Sequence, residues 1–141
     1  MSGKLFLPPT YGLSQAPVFD MGTVLSGVAQ TASQNSADIN TLNFKGLTII
    51  LDVSSIGTAS LTVQVQGKDF SNSGNYWTLL ASSAITANGT TAHTLYPGIT
   101  PATAANSNTS VSNILPVYLR IQILAGNANP CTYTVGAVLT T

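Results

Sequence analysis

The amino-acid sequence predicts an all-β fold: a single antiparallel β-sandwich or jelly roll of about eight strands, preceded by an extended N-terminal arm. Three observations predict it. Apolar and polar residues alternate with a period of two in run after run, and the runs are rich in Val, Ile, Thr and Tyr. Clusters of Gly, Asn, Ser and Pro separate those runs. No long stretch carries a helical period.

Taken in order, residues 1–20 read as the arm and residues 21–141 as the sandwich domain. Pro8, Pro9 and Pro17 favour extended backbone and donate no hydrogen bonds there. The arm's apolar residues, among them Leu5, Phe6, Leu7, Tyr11 and Leu13, are too many for a solvated tail. Leu5, Phe6, Leu7, Pro8, Pro9 and Tyr11 are therefore the candidate protein-interface residues, set to lie on their own sandwich or on a neighbouring subunit.

Residues 21–28 form a weak strand, and the polar stretch 29–40 holds room for an edge strand, with helix the second choice because Ser, Thr and Asn lower helix propensity. The two strongest runs follow. Leu47, Ile49, Leu51 and Val53 point one way in the first, as do Leu61, Val63 and Val65 in the second, opposite Thr62, Gln64 and Gln66. The loop 54–59 contains Gly57, so the two are expected to pair as an antiparallel hairpin. A turn cluster over 69–75 leads into strand 76–80. Asn88-Gly89 is a tight-turn signal between 84–86 and 91–96. Residues 99–114 read as a long loop of Thr, Ala, Asn and Ser, a kind often functional or mobile. Val117, Leu119, Ile121 and Ile123 then face inward, and Cys131, Tyr133, Val135 and Ala137 share a face of the last strand.

Composition narrows the function classes. Charged residues are 6% of the 141-residue chain, against about 25% in ordinary globular proteins. The four cations are Lys4, Lys45, Lys68 and Arg120, the four anions are all Asp, and the net charge is zero. Such a surface lacks the repulsion that keeps proteins apart, so association with itself or a larger assembly is expected. Four dispersed cations cannot build a phosphate-neutralising stripe, which argues against nucleic acid. No apolar run approaches about 20 residues, which argues against a membrane role. Two prolines cut short the apolar start, so no signal peptide is expected and use in the cytosol fits. Cys131 is the single cysteine and cannot form an intrachain disulfide.

Catalytic groups are scarce, and no enzyme is expected. His93 is the one histidine, so a two-histidine metal site has no material and any triad would have to use it. Its place inside a strand suits a packed or surface histidine. Cys131 reads as a structural thiol. Asp52 and Asp69 close the two strong runs, where capping, or pairing with Lys68 or Lys45, is plainer than carboxylate catalysis. The glycines are separate turn residues, without a phosphate loop. No cofactor is implied. Tyr76 and Trp77 are adjacent and so face opposite sides of their strand; one should be exposed, fit to stack on a sugar or to anchor a protein contact.

The segment from Phe44 to Val138 resembles a family of small virion proteins of tailed bacteriophages. The likeness runs through the two strong runs, Tyr76-Trp77-Thr78-Leu79-Leu80, residues 84–90, Leu95-Tyr96-Pro97-Gly98, Asn113-Ile114-Leu115-Pro116 and residues 132–137. It implies a structural particle protein without enzymatic activity, most plausibly a capsid decoration (cement) protein. That protein would be made in the host bacterial cytoplasm and carried on the virion surface. Its partners would be the major capsid protein and further copies of itself, as a homotrimer or another homo-oligomer. The resemblance transfers no site residues. A place in the tail, neck or a fibre, and a carbohydrate-binding attachment module using Trp77 or Tyr76, are the competing readings.

Overall fold

A computed structural model describes residues 18–69 and 74–141. The arm residues 1–17, and with them Leu5, Phe6, Leu7, Pro8, Pro9 and Tyr11, lie outside the described residues, as does much of the turn cluster, 70–73. The described chain is all-β, with ten strands: β1 (Val18–Gln30), β2 (Gln34–Asn35), β3 (Ile39–Asn40), β4 (Gly46–Ser55), β5 (Leu61–Asp69), β6 (Asn75–Ala81), β7 (Gly89–Leu95), β8 (Thr109–Val111), β9 (Tyr118–Ala125) and β10 (Cys131–Thr140).

The antiparallel pairs are nested. β1 pairs with β10, β2 and β3 with β9, β4 with β7, and β5 with β6. This is one long hairpin folded over on itself, a jelly roll. Two more pairings, β4 with β10 and β5 with β9, complete the sheets. One sheet runs β1-β10-β4-β7-β8, and the other runs β2-β9-β5-β6 with β3 also on β9. The pairing of β8 with β7 is parallel, so the first sheet is mixed rather than purely antiparallel.

Between the sheets lies one core. Leu47, Ile49 and Leu51 of β4 meet Val63 and Val65 of β5, Leu119, Ile121 and Ile123 of β9, and Tyr133, Val135 and Leu139 of β10, all within 2% of full burial. Each such side chain contributes about 1.5–3 kcal/mol relative to exposure, so this layer decides the fold. Tyr133 is the one aromatic among them, and its hydroxyl donates to Gln34 Oε1 at 2.7 Å, linking the two sheets.

The expected hairpin between the two strong runs does not form. β4 and β5 belong to different sheets, and residues 56–60 cross from one layer to the other. Ile56 and Ala59 in that crossing are buried, and Ala59 N–H donates to the Ile56 carbonyl at 2.8 Å to close a turn at Gly57, φ 53°. Alternation states which side chains share a face. It does not state whether the next strand lies beside or across the core. Asn88-Gly89 likewise makes no hairpin. Ile85 bridges to Leu61, and Asn88 Oδ1 instead accepts the Ile56 N–H at 2.9 Å. The loop 99–114 is not structureless, since it contains β8 and the bridge Ala102–Ser110. Val117, expected inward, precedes β9 and is 46% exposed.

Candidate functional site

Every crossing between the sheets falls at one of two ends of the sandwich, and the ends differ. At the first lie the start of β1, residues 41–45, the β7 exit at 96–98 and residues 112–117. Seven large hydrophobic side chains of the described residues are exposed, and six sit at this end: Val18, Phe19, Leu42, Trp77, Ile114 and Val117. Val28, near the far end of β1, is the seventh.

Local structure presents them. Thr41 donates its N–H to the Val117 carbonyl at 2.8 Å and its hydroxyl to the Pro116 carbonyl, tying the two loops together. A turn returns the chain through Asn43, φ 74°, closed by Phe44 N–H to the Thr41 carbonyl at 3.0 Å. Leu42 is left outside it. Phe19, register partner of Leu139, stacks on Phe44 with ring centroids 6.4 Å apart. Phe44, Tyr96, Pro97, Ile114 and Leu115, with Lys45 at the rim, line a hollow of about 340 Å³. Tyr96 in turn lies over Gly46, where a Cβ would stand 2.2 Å from the ring, so this packing requires glycine.

Trp77 belongs to the same end. Its register partner is Gly67, and a Cβ built there would come within 2.7 Å of the indole. The ring lies over the glycine with 45% of the side chain exposed. Tyr76 faces the other way, as alternation requires, into a polar cluster on the outer face of the second sheet. Its hydroxyl donates to Asp38 Oδ1 at 2.7 Å, Lys68 Nζ pairs with Asp38 Oδ2 at 2.8 Å, and the Arg120 guanidinium covers its ring at 3.8 Å. Arg120 Nε donates to Gln66 Oε1 at 2.9 Å. The hydrogen bond from Lys68, with that from Tyr76, holds the Asp38 carboxyl below its ordinary range and raises Lys68 in turn. Arg120 thus occupies one face of Tyr76, whereas Trp77 is the more exposed of the adjacent pair.

The residues singled out for chemistry are not brought together. His93 is buried in β7 and holds its Nε2 2.8 Å from the Thr91 hydroxyl; burial lowers its pKa to about 4. Cys131 is buried at the start of β10, its thiol raised by burial and donating to the Gln30 carbonyl at 3.6 Å. Asp52 lies toward the second end of β4 and accepts from Thr90 Oγ1 at 3.3 Å, whereas Asp69 closes β5 at the first end. Lys68, expected beside one of them, pairs with Asp38 instead. Among the described residues no three His, Cys, Asp or Glu side chains gather where a metal ion could be held.

No protein-family model matches the chain, and no curated protein matches it. Among solved structures, 94% of this chain is similar to part of a chain in the structure of infectious bursal disease virus Gt strain, at 12% identity and a TM-score of 0.40. A chain from the Gx strain of the same virus gives the same coverage, identity and TM-score. This chain spans 37% and 36% of the length of those two chains. None of these comparisons supports the resemblance to tailed-bacteriophage virion proteins.

Proposed function

We propose that the chain is a structural virion protein of a tailed bacteriophage, a capsid decoration protein that adheres to the outer surface of the major capsid protein lattice as a homo-oligomer. One observation carries the reading: a nearly uncharged jelly roll concentrates six exposed large hydrophobic side chains of the described residues at one end. Exposed apolar groups gathered in one place mark interaction surfaces. The described chain also begins there, at Val18. Small contacts repeated around a symmetry axis act multivalently, so modest apolar patches suffice on a lattice.

The test is the composition of purified particles. The chain is expected in a fixed stoichiometry to the shell protein. Deleting residues 1–16 should lower its occupancy, and unchanged occupancy would remove the arm from the contact. A second reading, attachment to host glycans, is favoured by Trp77 alone, whose ring is backed by Gly67 and open on its other face. It requires the isolated protein to bind glycan arrays and Trp77→Ala to abolish that binding with the fold intact.

A further inference from the structure

The rim where β8 joins β7 differs from the rest of the core in what it buries. The register sets His93 beside Thr109, and both side chains are buried. His93 Nδ1 and Thr109 Oγ1 are, among the described residues, the buried side-chain polar atoms that lack a hydrogen-bond partner. Thr91 fixes the imidazole through Nε2. The ring's other nitrogen and the neighbouring hydroxyl have been taken out of water with nothing gained in return.

β8 is also the slightest attachment in the first sheet. It is three residues long, outermost, and bound through three parallel register pairs. Beside it a groove of about 320 Å³, lined by Ala81, Pro101, Ala102 and Val111 among others, separates β8 from the end of β6. On the β4 side His93 is flanked by Ile49, and on the other side by β8, whose outer side carries the bridge from Ser110 to Ala102.

We propose that β8 is a hinged flap that leaves β7 in mild acid, opening the groove between β6 and β8 and admitting water to His93. Among the described residues, no charged side chain faces the imidazole from the elements around it. Asp52 of β4 meets Thr90 on the outer surface, and the Lys68 and Arg120 side chains lie in the outer-face cluster of the other sheet. Asp69 is the last residue of β5, at the end of the sandwich, and Lys45 precedes β4. An imidazolium formed in place would have no counter-charge, so protonation favours whichever state wets the ring. Burial is the physical cause that holds His93 near 4, against 6.5 in water. The opening equilibrium should therefore rise as pH falls below 6.5, by about 30-fold between pH 7.5 and pH 5.

Hydrogen exchange on the full chain tests this. The reporters are the amides of Tyr96, which donates to the Val111 carbonyl, and Ala92, which donates to Asn108 Oδ1, both joining the β7 segment to the β8 segment, and the reference is the β4–β10 ladder. After correction for intrinsic rates, protection at the reporters should fall about 30-fold over that pH range while the reference keeps its protection. His93→Leu should abolish the fall. Thr109→Val, which removes the orphan hydroxyl at nearly constant shape, should keep the fall from a higher starting protection. Reporters and reference loosening together in the wild-type chain would overturn the flap, whether or not His93→Leu folds. A persisting fall in a folded His93→Leu protein would overturn the role of the imidazole.

Discussion

The two ends of the sandwich are built from loops of similar length yet treat their surroundings in opposite ways. At the second end, asparagine side chains hold the loops to one another. Asn88 accepts from Ile56 N–H, Asn106 accepts from Thr86 N–H at 2.6 Å, and Asn127 and Asn129 both donate to the Thr58 carbonyl. At the first end Leu42, Ile114 and Val117 project into solvent. Loops whose polar groups are satisfied internally have little to gain from a partner. Exposed apolar side chains gain about 25 cal/mol for each Å² that a partner covers. One end holds its loops by internal hydrogen bonds, and the other leaves apolar side chains exposed.

If that division is right, stability and association should respond to different residues. The largest effect is expected from replacing Leu42, Ile114 and Val117 together by Ser. Association, with itself or with the shell, should weaken a hundredfold or more, which is about 3 kcal/mol. The melting temperature of the isolated chain should barely move, because exposed positions away from special features change stability by roughly 0.5 kcal/mol or less. Sedimentation and calorimetry read the two quantities. A large drop in melting temperature with association intact would break the comparison.

Acid should act the other way round. The folded-state pKa of His93 is lowered, so its contribution to stability is complete above 6.5 and is lost as pH falls from there toward 4. A tenfold change in proton affinity corresponds to about 1.4 kcal/mol, so the loss is at most about 3 kcal/mol, and less if β8 opens first. The apolar end presents few groups that titrate in this range, so association of the still-folded chain should stay flat from pH 8 to 5. Denaturant midpoints and sedimentation across that range check both halves.

The strands were legible where one face is wet and the other dry. Leu47 to Val53, Leu61 to Val65, Leu119 to Ile123 and Cys131 to Ala137 are buried as their alternation requires. Partners were not legible, because a period of two assigns faces and leaves neighbours open. The buried Ile56 and Ala59 sent the chain across the core instead of back along β4. Asn88 read as a turn residue because such turns are local, while its side chain serves a backbone N–H thirty-two positions earlier. β8 is too short to show any period. The apolar end is hidden for a similar reason: Leu42 is a single apolar residue in a polar loop, and Ile114-Leu115 is an apolar pair too short to show a period. Large hydrophobics beside turn residues were the available signal. An exposed aromatic follows from the adjacency of Tyr76 and Trp77, and the structure selects Trp77 because Arg120 already covers Tyr76.

A smaller effect is expected at the second end. Asn88→Ala leaves the N–H of the buried Ile56 without an acceptor, and should cost about 1–2 kcal/mol of stability while leaving association unchanged. Asn88→Ser keeps an acceptor of shorter reach and should fall between. If Asn88→Ala weakens association as much as it lowers the melting temperature, the two ends are not independent.

The smallest effect is expected from Asp38→Asn. The carboxylate is shared by Lys68 and Tyr76 in a cluster whose ion-pair side chains are about a quarter exposed, where water screens the charges and would replace the lost contacts. Stability should change little, and only at low salt. The Tyr76 hydroxyl, raised by its hydrogen bond to Asp38, should titrate closer to its ordinary value in the variant, as ultraviolet difference spectra would record. Arg120 would still cover the ring through its own bond to Gln66, so neither the fold nor adhesion should follow that change. Lost association in Asp38→Asn would move the adhesive surface from the apolar end to the outer face of the second sheet.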